Sequence, residues 1–428
     1  MRNRYLLITI LLLSVLFPAV IAQKQINSPY ARFNIGVLEP QGSFKSRAMG
    51  GTGTALRDNR SLFYMNPASY SSIDTNSFVF DFGMDFGMST LTQGDALYNS
   101  NDMTFNHLVM GFPVAKGWSI ATGIVPVSYG YYNISQDIKE GDADYSAVTG
   151  PYSLFYKGKG GLSNAFLGTG ANITKNFSVG VNMALLFGIL ERNFTLRFDD
   201  LDNYFHNSTS EKMQVRGINL EYGMQYRTKI KDKYFLVAGL SMASEKRYKS
   251  DYYYIAVKTS AYNAVDTISL VSDKAAPILI PATYRAGISF GKTDKYTTSF
   301  DFSATNWGKS DIPGYSGYAA KTKSFMWGLE IVPDRYSNFS YLKRVEYRLG
   351  AHAGDNYLVI NNSQIKEAGV SIGFGLPLRK NSLSRANIFA DLTQKKGSEA
   401  SGMHNERIIT IGASINFYDF WFIQRKYD

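Results

Sequence analysis

From Ser77 to Met88, large apolar residues alternate with small or acidic ones without a break. Phe78, Phe80, Phe82, Met84, Phe86 and Met88 share one parity, and Ser77, Val79, Asp81, Gly83, Asp85 and Gly87 share the other. Side chains alternate across a strand, so the pattern predicts one apolar face and one carrying two carboxylates and two glycines. A soluble sandwich strand shows an apolar face too. A strand of about 12 residues with a small or acidic second face suits a tilted membrane strand, with lipid outside and a polar lumen inside.

Similar segments recur to the end of the chain, near 103–113, 118–132, 161–173, 176–198, 212–228, 233–244, 278–291, 295–308, 323–333, 344–354, 367–378, 385–394 and 405–417. With the first, they make fourteen. Connections alternate in length. Pro113 to Gly117, Thr174-Lys175, Lys229 to Asp232, Lys292 to Asp294 and Arg379 to Ser384 are short. Those at 89–102, 133–160, 199–211, 245–277, 309–322, 355–366 and 395–404 are long and polar. Pro333 to Lys343 breaks the alternation. The predicted fold is all-β: a 14-stranded antiparallel transmembrane β-barrel in the Gram-negative outer membrane, with both termini periplasmic. Unpaired backbone is not tolerated in lipid, so the sheet must close. The last strand places Ile409, Ile411, Ala413, Ile415 and Phe417 on one face, which suits insertion by the barrel-assembly machinery.

The flanking segments divide the rest. Arg2 and Arg4, the apolar run Tyr5 to Phe17 and the small residues to Ala22 predict a signal peptide over 1–22. Residues 23–75 lack sustained period and are expected to form a hatch with one or two helical turns inside a barrel spanning 76–417. Residues 418–428, beginning in FYDFWF and ending in QRKYD, are expected to be an aromatic anchor and a basic periplasmic tail. The chain has 30 Tyr, 28 Phe, 38 Gly and no Cys, which suits a barrel crossing an oxidising periplasm and excludes thiol chemistry. Its net charge of +10 is scattered rather than clustered, so nucleic acid is not an expected partner.

The hatch centres on Arg47 to Tyr70. Its Met49-Gly50-Gly51-Thr52-Gly53-Thr54-Ala55 run, followed by Asn66-Pro67-Ala68, resembles the hatch of the FadL/TodX long-chain fatty-acid transporter family. Tyr347-Arg348-Leu349-Gly350 and the WFIQRKYD ending resemble FadL-related barrels of the Bacteroidota, among them PorV, which accompanies the type IX secretion translocon. The resemblance covers the layout of the chain after the signal peptide, but only short motifs in sequence. It implies a fourteen-stranded barrel that takes up a small hydrophobic compound passively and releases it sideways through a kink in the third strand. Pro126 and Gly130 are the candidate kink residues, because proline cannot donate to a ladder; an ordinary bulge is the alternative. The rival expectation is a non-transporting subunit of a larger outer-membrane complex, the type IX translocon or the barrel-assembly machinery.

Other candidates weigh less. Gly50, Gly51 and Gly53 lack the strand, helix and acidic partner of a dinucleotide site, so close backbone packing is the expected role. Asn66-Pro67 is expected to end the last hatch turn. Asp81 and Asp85 are expected to face the lumen and pair with Arg47, Arg57 or Arg60 of the plug. His107, His206, His352 and His404 are far apart, and no catalytic residue, cofactor or metal site is expected. Tyr252-Tyr253-Tyr254 and Tyr129 to Tyr132 could meet a hydrophobic ligand, but the girdle that borders lipid in any barrel is the preferred reading. Lys157-Gly158-Lys159-Gly160-Gly161 reads as a flexible basic rim, either in contact with lipopolysaccharide phosphates or simply solvated. Expected partners are outer-membrane lipid and lipopolysaccharide, a hydrophobic ligand, and subunits of an outer-membrane machine.

Overall fold

The structure, a computed structural model, describes residues 27–420 apart from 94–95, 200–204, 232, 260–264, 316, 379–382 and 399–402. The expected signal peptide and the end of the tail lie outside the described residues. A closed antiparallel barrel surrounds a compact N-terminal hatch. The hatch holds one short strand, β1 (Val37–Leu38), and three helical turns at Pro29–Arg32, Phe44–Arg47 and Pro67–Ser72.

The first wall strands are β2 (Ser77–Gln93), β3 (Ala96–Ala115), β4 (Trp118–Tyr129), β5 (Tyr132–Ile138), β6 (Tyr152–Asn172), β7 (Phe177–Phe198) and β8 (His206–Ile230). They continue with β9 (Tyr234–Ala243), β10 (Lys246–Thr259), β11 (Val265–Ile280), β12 (Thr283–Lys292), β13 (Tyr296–Asn306) and β14 (Lys321–Ile331). The last are β15 (Glu346–Ile360), β16 (Ser363–Pro377), β17 (Arg385–Lys396) and β18 (Asn405–Phe420). Three wall strands are broken in two: β4 with β5, β9 with β10, and β11 with β12, leaving fourteen strands around the wall. Sixteen ladder pairs join β18 to β2, from Asn405↔Thr92 to Phe420↔Ser77, and seal the barrel.

Face assignment follows the alternation. Asp81 and Asp85 are buried toward the hatch, while Phe86 and Met88 point outward. Leu167, Ile288, Phe300, Phe325, Val370 and Ile411 join that exposed outer surface, as a lipid-facing wall requires.

Three expectations are corrected. Much of the connections read as loops at 89–102, 245–277 and 355–366 is strand: β2–β3, β10–β11 and β15–β16 are long hairpins. Apolar residues come in unbroken runs in two of these extensions, Tyr252 to Val257 and Tyr357 to Ile360, and are sparse in the third, so period 2 fades while the backbone ladder continues. Lys157 to Gly161 is strand β6 rather than a flexible rim, and Lys159 pairs with Glu191 at 2.8 Å. β18 runs on to Phe420, past the expected end at 417.

Candidate functional site: a hatch between two cavities

The hatch is fitted to the wall by close backbone approach. Gly50 and Gly51 have φ of +67° and +86°. A Cβ at Gly50 would lie 2.5 Å from the carbonyl oxygens of both Ala351 and Trp327. The wall answers with its own glycines: a Cβ at Gly350 would lie 1.9 Å from the Gly50 nitrogen. Gly50 N–H donates to Ser371 Oγ at 3.0 Å, and Gly53 and Thr54 N–H donate to one Asp301 carboxylate oxygen at 2.8 and 2.7 Å. Gly50 N–H is shared with Arg47 O of the hatch at 3.1 Å, while Gly53 and Thr54 have donors that no helix or sheet pairs.

Asn66 and Pro67 begin a turn rather than end one. Asn66 Oδ1 accepts from Ala68 N–H at 3.2 Å, and Pro67 opens the 3₁₀ turn to Ser72. Proline suits this first helical position because its missing N–H would have no partner there. Asn66 Nδ2 also donates to Thr54 O at 2.7 Å and, in the wall, to Met224 O at 3.2 Å. Ala68 is fully buried in the same turn.

The expected plug–wall ion pairs are only partly formed. Arg47 donates to Asp85 at 2.6 Å, and Asn106 donates to the same oxygen at 3.0 Å. Asp81 instead lies 3.3 Å from His107, which is fully buried beneath the Phe44 ring. Arg60 pairs with Asp58 of its own hatch at 3.0 Å and approaches Glu346 at 3.7 Å. Lys45 joins Asp58 at 2.7 Å to Glu330 at 3.2 Å, and Arg348 bridges Glu330 to Glu346. Burial alone would raise the Asp58 carboxyl, but the charges of Arg60 and then Lys45 hold it well below the usual carboxylate range. Arg57 meets only neutral acceptors, among them Ser178 Oγ at 2.9 Å, Asn172 Oδ1 at 2.9 Å and Gln225 Oε1 at 3.2 Å. Arg57 and Arg60 therefore reach neither Asp81 nor Asp85, because the hatch turns them toward the short-turn end of the barrel.

A cavity of about 420 Å³ lies on the long-loop side of the hatch. Its wall is polar in places, with Arg47, Asp85, Arg285 and Lys395. One side is apolar: Ile35, Val37, Leu38, Val127, Tyr129 and Leu186 pack together there.

At this apolar side the barrel wall is interrupted. The β3–β4 ladder runs from Ala115↔Trp118 only to Leu108↔Ile124. Past that point β3 continues with β2, while β4 bends to pair with the hatch through Val37↔Tyr129 and Leu38↔Ser128. A register shift against β6 falls between Pro126 and Ser128, and Gly130 lies at the break between β4 and β5. The Gln41 amide donates to Pro126 O at 3.0 Å, and Glu39 N–H donates to Val127 O at 2.9 Å. Gly36, at φ +89°, lets the hatch come this close, since a Cβ there would lie 2.1 Å from Tyr129 O.

The outer part of β3 and the whole of β5 thus lack a shared ladder among the described residues. Asn27 spans the break. Its Nδ2 donates to Tyr98 Oη at 2.9 Å and to Asn133 O at 2.6 Å, and its Oδ1 accepts from Asn133 N–H at 2.7 Å. A single asparagine outside any periodic segment gave no sequence signal for this role.

Comparison with known proteins decides the lineage. The BamG family matches over residues 1–428. The chain belongs to the BamG family. No curated protein matches this BamG-family chain. Among solved structures, the toluene transporter TodX of Pseudomonas putida is 15% identical, with a TM-score of 0.56 over 91% of this chain and 100% of its own. The toluene transporter TbuX of Ralstonia pickettii is 15% identical, with a TM-score of 0.56 over 90% and 99%. A Pseudomonas aeruginosa FadL homologue is 11% identical, with a TM-score of 0.57 over 89% and 99%. At such identities the likeness is one of fold alone: this BamG-family protein shares the barrel fold of these transporters.

Proposed function

We propose that this BamG-family barrel passively takes up a small hydrophobic compound and releases it sideways into the membrane. The compound enters from the long-loop end, taken as extracellular, and the short-turn end faces the periplasm. The observation that carries this reading is the meeting of the cavity's apolar side with the break between β3 and β4–β5. The cavity volume of about 420 Å³ suits a small molecule. TodX and TbuX are toluene transporters, which makes a monoaromatic compound the first probe.

The test is Val127→Arg, which puts a charge in the apolar passage. Uptake of a labelled monoaromatic by cells should fall at least tenfold with barrel abundance unchanged. Unaltered uptake would remove the lateral route.

A second reading has its own support. The buried ion pairs of Lys45 with Glu330 and of Arg47 with Asp85 tie the hatch to the wall, and moving it would leave charges unmatched at a cost of about 3–5 kcal/mol per broken pair. A fixed plug suits a non-transporting subunit of an outer-membrane complex, the type IX translocon or the barrel-assembly machinery. Stoichiometric co-purification with such a complex, together with no measurable uptake, would favour it.

A further inference from the structure

On the short-turn side of the hatch lies a separate cavity of about 460 Å³. Its charges do not balance locally. Four carboxylates line it, and each is engaged. Asp58 holds Lys45 and Arg60, Glu330 holds Lys45 and Arg348, and Asp294 holds Arg335 at 3.1 Å. Asp74 accepts from Tyr418 Oη at 2.8 Å. Two guanidinium groups in the same cavity have no such partner. Arg57 is met only by neutral acceptors, as described above. Arg227 forms no ion pair among the described residues, and its guanidinium stands 6.0 Å from the Phe235 ring centroid.

We propose that Arg57 and Arg227 form a binding site for an oxyanion, a phosphate or carboxylate group, that enters from the short-turn end. Two like charges sharing a cavity repel each other, and burial adds to the cost. Desolvation, followed by the facing Arg227 charge, lowers the Arg57 guanidinium to about 10. An oxyanion between them relieves both effects: it accepts from the planar fork of Arg227 and sits in the charge of Arg57, whose terminal nitrogens already donate to protein acceptors. The five hydrogen bonds that Arg57 makes to the wall and hatch fix one half of the site before the anion arrives. Arg227 has no competing carboxylate and supplies the other half.

The experiment titrates the full-length purified protein, in a zwitterionic detergent, with inorganic phosphate and separately with acetate, followed calorimetrically. Saturable binding of at least one anion is expected, and the stronger of the two identifies the group. Affinity should fall at least tenfold in Arg227→Gln and less in Arg227→Lys, and it should weaken with added chloride. Gel mobility before and after heating checks that each variant keeps its barrel. No saturable binding of either anion, or equal affinity in wild type and a folded Arg227→Gln, would overturn the site. Lower thermal stability of the variant with unchanged anion affinity would mark Arg227 as packing on Phe235 only, and would overturn it equally.

Discussion

At the scale of single residues, the hatch is held by charges that have left water. Asp58 shows how this sets a pH dependence. Its folded-state pKa is depressed below the unfolded value of 3.8 by Arg60 and Lys45. A depressed carboxylate stabilises the fold above its unfolded pKa, and that stabilisation is lost as pH falls toward the folded value. The Asp58 contribution should therefore be constant from pH 7 to about 4 and decline only below that. Pepsin cleavage within the hatch, measured from pH 4 to 2, should rise in wild type. In Asp58→Asn the hatch should already be loosened at neutral pH, by hydrogen exchange, and should change less on acidification. Equal acid sensitivity in the two proteins would show that Asp58 does not fasten the hatch. Neither pairing of Asp58, with Lys45 and Arg60 of its own hatch, was legible in the sequence, because the hatch has no period that shows which of its side chains meet. The same reason misdirected Arg57 and Arg60: a lumen-facing carboxylate identifies a need for a cation but not which one.

At the scale of elements, legibility follows the solvent. Ser77 to Met88 announced itself because lipid lies on one side and a packed lumen on the other, so alternate residues face opposite demands. The β10–β11 hairpin did not, since its apolar residues form a continuous run from Tyr252 to Val257 instead of falling at alternate positions. The glycine run was readable as backbone packing, although its partners in β14 and β15 were not. Its role gives a sharp expectation. Gly50→Ala introduces a Cβ 2.5 Å from two wall carbonyls at a φ of +67°. Alanine has no easy conformation there, and the surrounding wall is backbone that cannot step aside. The hatch should fail to seat, and trypsin should cut within residues 45–60 at least ten times faster than in wild type. Gly141 provides the control, since it has nothing within 4 Å: alanine there should leave the cleavage rate of the hatch unchanged. Equal cleavage in Gly50→Ala and wild type would show that the seat tolerates a side chain.

At the scale of the whole molecule, one wall strand leaves its neighbour to embrace the plug. That exchange costs the barrel a stretch of its ladder, which lipid tolerates only if another group covers the exposed backbone. Hatch strand β1 covers β4 at Ser128 and Tyr129, and Asn27 bridges β3 to β5. Pro126, the candidate kink residue, lies beside the register shift against β6, while the hatch residues that cover the break have no pattern of their own. The central claim is that compounds leave through this break. It is tested most directly by closing the break in an otherwise unchanged barrel. Since the chain has no cysteine, Tyr98→Cys and Asn133→Cys can be joined specifically by a short, cleavable bis-maleimide. Uptake of a labelled monoaromatic should fall at least tenfold when the linker is in place and recover when it is cleaved. Uptake that proceeds at the same rate with the two strands joined would contradict lateral release.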